Sequence, residues 1–528
     1  MEFDYVIVGG GSGGATLAGR LSEDPKVTVC LLEAGGKGDG FLIRAPAMVA
    51  AMVSGRPRLN NWALKTTPQP GLNERRGFQP RGRALGGSSA INAMLYVRGH
   101  RRDYDEWAAL GARGWGWDDV LPWFRKSEGN ARGADGLHGA DGPLQVGDIS
   151  EPHAISPAFV TAGKQCQHPE NTDFNGSAQE GVGLYQVTQF GDGPKRGERC
   201  SAAAAYLLPH LNRRNLHVIT GTQAHRVLFD GHRAAGVIHD RGRLRARREV
   251  ILSAGAFQTP QLLMLSGIGP AAHLRSHGIE LRHDSPEVGR NLQDHLDHVI
   301  SYHSLRPDTV GLTPRGIYNM AKAGVKWART GQGLFATPFA EGAGFLRSEP
   351  GLDRPDLQLH FVAGIVDQHM RRLHFRFGYS CHVCVLRPHS RGQVTLKSTD
   401  PRATPRIDPG FLSDGRDLDL MVKGARLTET ILEAPALAPW RGRRLYPHDG
   451  TDEAIREDIR NRADTIYHPV GTARMGGPDA PCDPQGRVRG VDGLRVVDAS
   501  LMPRLIGGNT NAPIIMMAEK ISDGMRAN

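Results

Sequence analysis

The chain has 528 residues, more than one ordinary hydrophobic core supports, so we expect at least two domains. Its 65 Lys and Arg residues exceed the 55 Asp and Glu residues, giving a formal net charge of +10. The basic residues are interspersed with acids and lack an accompanying aromatic stripe, so no nucleic-acid partner is expected. Six cysteines indicate no disulfide framework, and no apolar run reaches the roughly 20 residues of a membrane span. We therefore expect a cytoplasmic protein. Because the net charge is positive, peripheral contact with the inner face of a membrane is a further possibility.

The N-terminal forty residues match a dinucleotide-binding unit. A short apolar run, Tyr5–Val8, predicts a buried parallel strand, and G-x-G-x-x-G follows directly at Gly9–Gly14, before an amphipathic helix. A second run, Val27–Leu32, ends in an acid about 20 residues beyond the loop, as this fingerprint requires. Glycines let the backbone approach a pyrophosphate, the helix N-terminus favours its charge, and the acid can accept hydrogen bonds from a ribose. The predicted contacts are Gly9, Gly11, Ser12, Gly13, Gly14, Glu33 and Ala34.

Two later segments have a related geometry. Gly86–Ser89 is a turn with hydroxyls and amide donors suited to a phosphate or a flavin edge, although an ordinary loop is an equal alternative from the residues alone. Val250–Ser253 predicts another buried strand, which Ala254–Ala256 turns into a helix. This arrangement of strand, glycine turn and helix N-terminus receives a phosphate or an adenine in dinucleotide-binding folds.

Two clusters of potential metal ligands are interpreted as structural. Asp294–His298 contains acids and histidines, but nothing downstream completes a fixed set of converging ligands, so no metal is expected. Cys381 and Cys384 resemble a metal or redox pair, yet they lie in a strand-like run. Residues three apart on a strand face opposite sides, which favours a structural role for both thiols.

The last sixty residues hold the candidate catalytic groups. His468 precedes a proline, a short apolar strand ends at Asp498, and Asn509 and Asn511 lead into a helix-like segment. Side chains of these types can supply a base for a substrate proton and a group that holds a substrate oxygen. An imidazole has an unperturbed pKa near neutrality and suits the base. An amide cannot take the proton but can donate a hydrogen bond to the oxygen.

Several segments resemble one flavoprotein family. Residues 81–99, followed by Asp103–Trp107, resemble the first signature of the glucose–methanol–choline (GMC) flavoprotein oxidoreductases. Residues 255–270 resemble the second signature, and the segments around His468 and Asn509 resemble the catalytic region. The bacterial choline-dehydrogenase-like alcohol dehydrogenases look nearest within the family. The resemblance implies FAD bound by a Rossmann-like α/β domain, with an inserted α+β substrate domain built on an antiparallel sheet.

The resemblance also implies residue roles. It makes His468 the base and Asn509 the second catalytic residue, with Asn511 as the competing candidate. Some relatives carry a histidine that bonds covalently to FAD where this chain has Ile91, so non-covalent FAD is expected. The further cofactor contacts that it implies are Arg83, Gly87, Ser88, Asn92, Ala93, Met94, Leu95, Ala224, Ala254, Asp498, Ala499, Asn509, Thr510 and Asn511.

Two residues are candidates for substrate contact besides His468 and Asn509. Glu341 lies where choline-type relatives keep an acid near the substrate, so it could pair with a cationic head group; a solvated loop acid is an equal alternative. Ile466 is two residues before His468 and shares its face if the segment is extended. It would then narrow the space beside the reactive edge of the flavin.

The expected domains are discontinuous. Residues 1–155, 210–305 and 455–528 are assigned to the FAD-binding domain, and residues 156–209 and 306–454 to the substrate-binding domain. Alternating strand-like runs and proline-rich turns in residues 306–454 indicate the antiparallel sheet.

The resulting hypothesis is an FAD-dependent oxidation of a primary alcohol to an aldehyde. Hydride passes to flavin N5, His468 acts as general base, and the electrons go to a quinone, a redox protein or another acceptor. One alternative is an oxidase that reduces O2 to hydrogen peroxide. Another is a lyase on the same fold that binds FAD without using it for redox chemistry. The sequence predicts no oligomeric state.

Overall fold

The computed structural model describes residues 1–527. Its strands are β1 Glu2–Val8, β2 Val29–Leu32, β3 Leu64–Gln69, β4 Arg75–Gln79, β5 Glu128–Asn130, β6 Leu144–Asp148, β7 Gly181–Leu184, β8 Gln186–Thr188, β9 Leu216–Ile219, β10 Ala224–Asp230, β11 Arg233–His239, β12 Gly242–Leu252, β13 Ile268–Gly269, β14 His283–Asp284, β15 Leu296–Ser304, β16 Ala340–Leu346, β17 Leu357–Val362, β18 Gly378–Val385, β19 Gln393–Thr395, β20 Arg406–Asp408, β21 Arg441–Arg444, β22 Asp464–Thr465 and β23 Leu494–Val496. Its α-helices are α1 Ser12–Leu21, α2 Phe41–Arg44, α3 Val49–Val53, α4 Arg101–Ala109, α5 Trp117–Ser127, α6 Ile155–Gln165, α7 Ala202–Tyr206, α8 Gly255–Leu265, α9 Ala271–Ser276, α10 Pro314–Thr330, α11 Gly415–Glu433, α12 Asp452–Arg462 and α13 Asn511–Arg526.

The first large sheet contains the parallel strands that the N-terminal dinucleotide-binding pattern predicts. Strands β12, β1, β2 and β9 are parallel neighbours in that order. The carboxyl half of β12 also pairs with β23 in parallel, and its amino half pairs with β11 in an antiparallel manner. All four residues of β2 are buried, which explains why this strand is a continuous apolar run rather than an alternating one. Helices α1, α7 and α13 pack together beside this sheet.

The second large sheet is antiparallel and forms the roof of a cavity. Its strands run in the order β21, β15, β18, β17, β16 and β7, with β22 beside β15. Leu359 and Phe361 of β17 belong to a core that also includes apolar residues of α6, α11 and α12. His360 and Val362, on the alternate face of the same strand, line the cavity. One face of this sheet therefore carries helices, and the other lines the cavity.

Three elements pack against a different part of the structure from the domain to which the sequence assigned them. Strand β15 lies in the second sheet and α12 packs on α11, although residues 210–305 and 455–528 are assigned to the FAD-binding domain. Helix α7 packs on α1, although residues 156–209 are assigned to the substrate unit. An apolar pattern marks a buried face but does not identify the sheet that covers it. Within residues 1–527 no helix is long and apolar enough to cross a bilayer.

Candidate active site

A cavity of about 590 Å³ lies between the two sheets, and the glycine loop after β1 forms one end of it. Gly9 has φ +100°, and a Cβ there would lie 2.4 Å from the carbonyl oxygen of Ser253, so only glycine fits this turn. Gly11 caps α1 without a side-chain hydrogen bond to the first turn. The free amide groups of this helix N-terminus lie at the cavity wall, where they favour an anionic group such as a pyrophosphate.

Most of the predicted cofactor contacts line this one cavity. The lining includes Gly9, Gly11, Ser12, Gly13, Glu33, Ala34, Gly87, Ser88, Asn92, Ala93, Met94, Leu95, Ala224, Ala254, Asp498, Ala499, Asn509, Thr510 and Asn511. Residues from seven separate stretches of the chain thus meet at one elongated site. The glycine-lined end and the open helix N-terminus fit a dinucleotide cofactor.

Two predicted cofactor contacts lie away from the cavity wall. A Cβ on Gly14 would lie 1.9 Å from the carbonyl oxygen of Gly9, so this glycine allows close packing of α1 on the loop rather than contact with a ligand. Arg83 is exposed, and its guanidinium stacks 4.5 Å from the ring centre of Trp62. Trp62 and Arg81 occupy the wall where Arg83 was expected.

The two acids in the wall are held by the protein itself. Glu33 accepts hydrogen bonds from the backbone amides of Gly10 and Gly35, at 2.9 and 2.7 Å, and burial raises its pKa to about 7. Asp498 accepts from the backbone amide of Gly255 and the hydroxyl of Thr259, at 2.8 and 2.6 Å. Each carboxylate fixes the loops around it, and burial raises the pKa of Asp498 as well.

His468 has a defined ring orientation at the other end of the cavity. Its backbone amide donates to Asp294 at 2.9 Å, and its Nδ1 lies 2.9 Å from Nδ1 of His295. His295 Nε2 lies 2.9 Å from the carbonyl oxygen of Leu386, to which only a protonated nitrogen can donate. A neutral His295 therefore has a bare Nδ1 that accepts from His468 Nδ1–H. The network thus assigns His468 a bare Nε2, which is the nitrogen of a general base.

Asn509 completes this network from the opposite side. Its Nδ2 lies 3.2 Å from His468 Nε2, and its Oδ1 accepts from Gln358 Nε2 at 3.0 Å. The donor from Gln358 orients the amide so that its N–H groups point toward the histidine. Asn511 instead accepts from the hydroxyl of Ser12 at 2.7 Å, which joins α13 to α1. Of the two candidate asparagines, Asn509 is the one in contact with His468.

The pKa values of His468 and His295 are both lowered, so these two rings are neutral at pH 7. Burial lowers the pKa of His468 well below its ordinary value, and the neighbouring His295 and His360 lower it further. Burial also lowers the pKa of His295 to about 4. An unprotonated His468 is therefore available as a base at pH 7 without prior loss of a proton.

The structure adds three histidines that sequence reasoning did not assign to the site. His295 contacts His468, and His360 and His382 line the cavity from the second sheet. Neither ring nitrogen of His360 has a hydrogen-bond partner among residues 1–527, while Asp297 accepts from His382 at 2.7 Å. The signal for His295 in the sequence is the cluster of acids and histidines at 294–298, which was interpreted above only as a possible metal site. In the described part of the chain no metal-binding cluster of three or more His, Cys, Asp or Glu residues forms.

Glu341 does not reach the cavity. Ala340 lines it, and the alternation along β16 turns the next side chain to the opposite face. There the Glu341 carboxylate accepts from the hydroxyl of Ser156 and the backbone amide of His153, at 2.6 and 2.7 Å. The expectation that Glu341 meets a cationic head group therefore does not fit its position. Ile466 does line the cavity, together with Tyr467 and His468.

The dinucleotide loop, the neutral histidine and its amide partner share one cavity, which defines an oxidoreductase of the alcohol-oxidising kind. Family models described as GMC oxidoreductase match residues 3–297 and 388–518. The chain belongs to the GMC oxidoreductase family, and the resemblance in the sequence is confirmed. It is an FAD-dependent alcohol oxidoreductase of that family.

Individual relatives are similar along almost the whole chain. An alcohol dehydrogenase [acceptor] of Pseudomonas putida is 46% identical, with 99% of this chain and 95% of the relative covered. An oxygen-dependent choline dehydrogenase of Rhizobium etli is 42% identical, with the same shares covered. Among solved structures, pyridoxine 4-oxidase from Mesorbium loti has a TM-score of 0.89 and 32% identity, covering 100% of this chain and 99% of that one.

Proposed function

We propose that the protein oxidises a primary alcohol to an aldehyde with non-covalently bound FAD and with His468 as the general base. The observation that carries this proposal is the hydrogen-bond chain from Leu386 through His295 to His468. It leaves the bare Nε2 of a buried, neutral imidazole at the cavity, 3.2 Å from an amide donor on Asn509.

The residues of the chain bind the alcohol and take its proton. The hydroxyl of the alcohol donates to Nε2 of His468, which receives the proton, and Asn509 Nδ2–H donates to the alcohol oxygen. Bound FAD would supply the hydride acceptor. His468 keeps its Nδ1–H bond to His295 throughout, so the ring does not rotate when Nε2 gains a proton. A base positioned in this way contributes about 10²- to 10⁴-fold to the rate.

Non-covalent FAD is proposed from the side chain at position 91. Ile91 lines the cavity and carries no nitrogen or sulfur that could bond to a flavin. Precipitation with acid should therefore release the yellow chromophore into the supernatant. Colour retained on the precipitated protein would refute this part of the proposal.

An apolar alcohol is the substrate class that the cavity favours over choline. The wall beneath the second sheet includes apolar residues such as Val362, Ile365 and Val366. Among the described residues, the carboxylates in the cavity lining are those of Glu33 and Asp498. Both accept hydrogen bonds from backbone amides, of Gly10 and Gly255 respectively. A quaternary ammonium group would therefore lose its hydration without gaining an anionic partner.

Electrons are proposed to pass to a quinone or a redox protein. The name of the 46% identical relative, an alcohol dehydrogenase [acceptor], supports a dehydrogenase. An oxidase would instead release one hydrogen peroxide for each alcohol in air.

Anaerobic flavin bleaching tests the proposed reaction. We expect 1-hexanol and benzyl alcohol to bleach the flavin absorbance of the wild type, and choline to bleach it at least tenfold more slowly. His468→Gln should slow bleaching by about 10²- to 10⁴-fold while retaining flavin. His217→Gln, at an exposed histidine of β9, is the matched control and should bleach at the wild-type rate. Bound flavin that no alcohol bleaches would favour the lyase alternative, and peroxide formed in air would identify an oxidase.

A further inference from the structure

Exposed apolar side chains lie beside the cavity, where lining residues of α10, of the loop before it and of the loop before β18 reach the surface. Half of the twelve large apolar residues that are exposed in the described chain come from two segments, around α10 and the loop before β18. We call these six residues the mouth patch: Leu312, Ile317, Tyr318, Val325, Leu373 and Phe375. Leu312, Ile317 and Leu373 line the cavity entrance as well. A backbone bridge between Gly311 and Phe377 joins the two segments.

The segments that carry the mouth patch also contain basic side chains without acidic partners. Residues 309–340 contain four Lys or Arg residues and no Asp or Glu, and residues 368–378 contain three Arg and no acid. Arg315, Lys322, Arg329 and Arg376 are exposed. None of these four lies within 4 Å of a carboxylate in residues 1–527, whereas Lys326 pairs with Glu151. The basic groups therefore stand free beside the apolar side chains.

We propose that the mouth patch docks on an anionic lipid bilayer, with the cavity entrance facing the membrane. A basic amphipathic helix with exposed apolar groups is the element that lies in the plane of a bilayer surface, and each nearby Lys or Arg strengthens its attraction to anionic lipid. Exposed apolar patches of this kind mark interaction sites rather than ordinary surface.

The position of the patch distinguishes a bilayer from an ordinary protein partner. The entrance that the patch surrounds leads into the mostly apolar half of the cavity, which Met320 and Met370 also line. A bilayer concentrates apolar alcohols in its hydrocarbon phase, and the free positive charges complement anionic head groups. Docking would place the cavity entrance against this reservoir.

Vesicle binding of the flavin-loaded protein tests this inference. Phosphatidylcholine vesicles and vesicles with one quarter phosphatidylglycerol are sedimented with the wild type at low and high salt. We expect binding to the anionic vesicles that weakens with salt, and little binding to the neutral ones. The measurement involves no turnover, so it stands or falls separately from the proposed oxidation.

Matched variants separate the charge and the apolar contributions. Lys322→Gln with Arg329→Gln should weaken binding about 30-fold. The control pair, Arg241→Gln in the turn before β12 and Arg243→Gln on β12, should change it less than twofold. A second pair, Tyr318→Ser with Phe375→Ser, removes rings that are 68% and 72% exposed and lie outside the cavity lining. It should also weaken binding without lowering flavin content or the thermal midpoint. Leu211→Ser, at a residue 48% exposed, is its control.

Three results would overturn the inference. The first is an absence of binding to anionic vesicles at millimolar lipid. The second is equal binding of the wild type and both mouth-patch variants. The third is self-association of the wild type that the Tyr318→Ser and Phe375→Ser pair abolishes while vesicle binding persists, which would assign the patch to a second copy of the chain.

Discussion

Replacing His295 tests whether the ring orientation of His468 matters for catalysis. His295 Nδ1 accepts from His468 Nδ1 at 2.9 Å because its own Nε2 donates to Leu386. His295→Leu removes the acceptor, so the proton of His468 can move to Nε2 and block the base. His295→Asn is the conservative variant, because the amide oxygen of asparagine can stand where Nδ1 stood and accept the same hydrogen bond.

The size of the effect follows from burial. His295 and His468 are 0% and 7% exposed, so a donor left without a partner there is not rescued by bulk water. An unsatisfied buried donor costs about 1–3 kcal/mol, and each 1.36 kcal/mol corresponds to a tenfold change in rate. We therefore expect kcat/KM of His295→Leu to fall between about 5-fold and about 150-fold. The asparagine variant should recover most of this loss.

Stopped-flow bleaching of the flavin under anaerobic conditions, from pH 5 to pH 9, is the assay. The pKa of His468 is lowered well below 6.5, chiefly by burial, so the wild type should keep full activity above pH 6.5. Activity should be lost as the pH falls through this lowered pKa. His295→Leu should lower the plateau through kcat with little change in KM. A wild-type plateau for His295→Leu would refute a role of His295 in fixing the tautomer of His468. An asparagine variant that loses as much as the leucine variant, with its flavin content intact, would refute it as well.

Three further predictions concern other parts of the chain. Glu341→Ala should lower the free energy of unfolding by about 2 kcal/mol, because two donors outside the cavity lose their acceptor. Urea titration measures the stability and steady-state kinetics measure KM. A raised KM at unchanged stability would contradict this prediction. Gly13→Ala should abolish flavin content, measured as absorbance per protein, because its Cβ would lie 2.2 Å from a backbone carbonyl oxygen; normal flavin loading would contradict it. Hydrogen bonds to Asp173 and Glu128 raise the pKa of His138 from 6.5 to about 9. Its stabilisation should therefore be complete below pH 6.5 and be lost as the pH rises through 9; urea midpoints of the wild type and His138→Gln across this range check it, and a constant difference between them would refute it.

Local patterns predicted the parts of the fold that depend on neighbouring residues. The order of strand, glycine turn and helix at Tyr5–Leu21 needs only short-range sterics and the burial of one parallel strand. The same holds for the turn at Val250–Ala256. Both segments form as the patterns indicate, as β1 with α1 and as the end of β12 with α8.

Positions that depend on distant strands could not be read in the same way. Both faces of β16 are buried, so no alternation of polar and apolar residues shows which way Glu341 points. His295 and His468 are 173 residues apart and meet only because β22, just before His468, pairs with β15. The preference for Asn509 as the second catalytic residue came from the resemblance to a family. The residue types alone do not distinguish Asn509 from Asn511.

The choice of partner for His468 explains how a buried imidazole can stay a usable base. A carboxylate at Nδ1 would favour the protonated ring and raise its pKa. Asp294 instead accepts from the backbone amide of His468 and from the hydroxyl of Thr465, at 2.9 and 2.6 Å. The ring is oriented by His295, whose own pKa of about 4 keeps it an uncharged acceptor. A neutral partner fixes the tautomer without holding a proton on the base, so His468 can take the proton of the alcohol at pH 7.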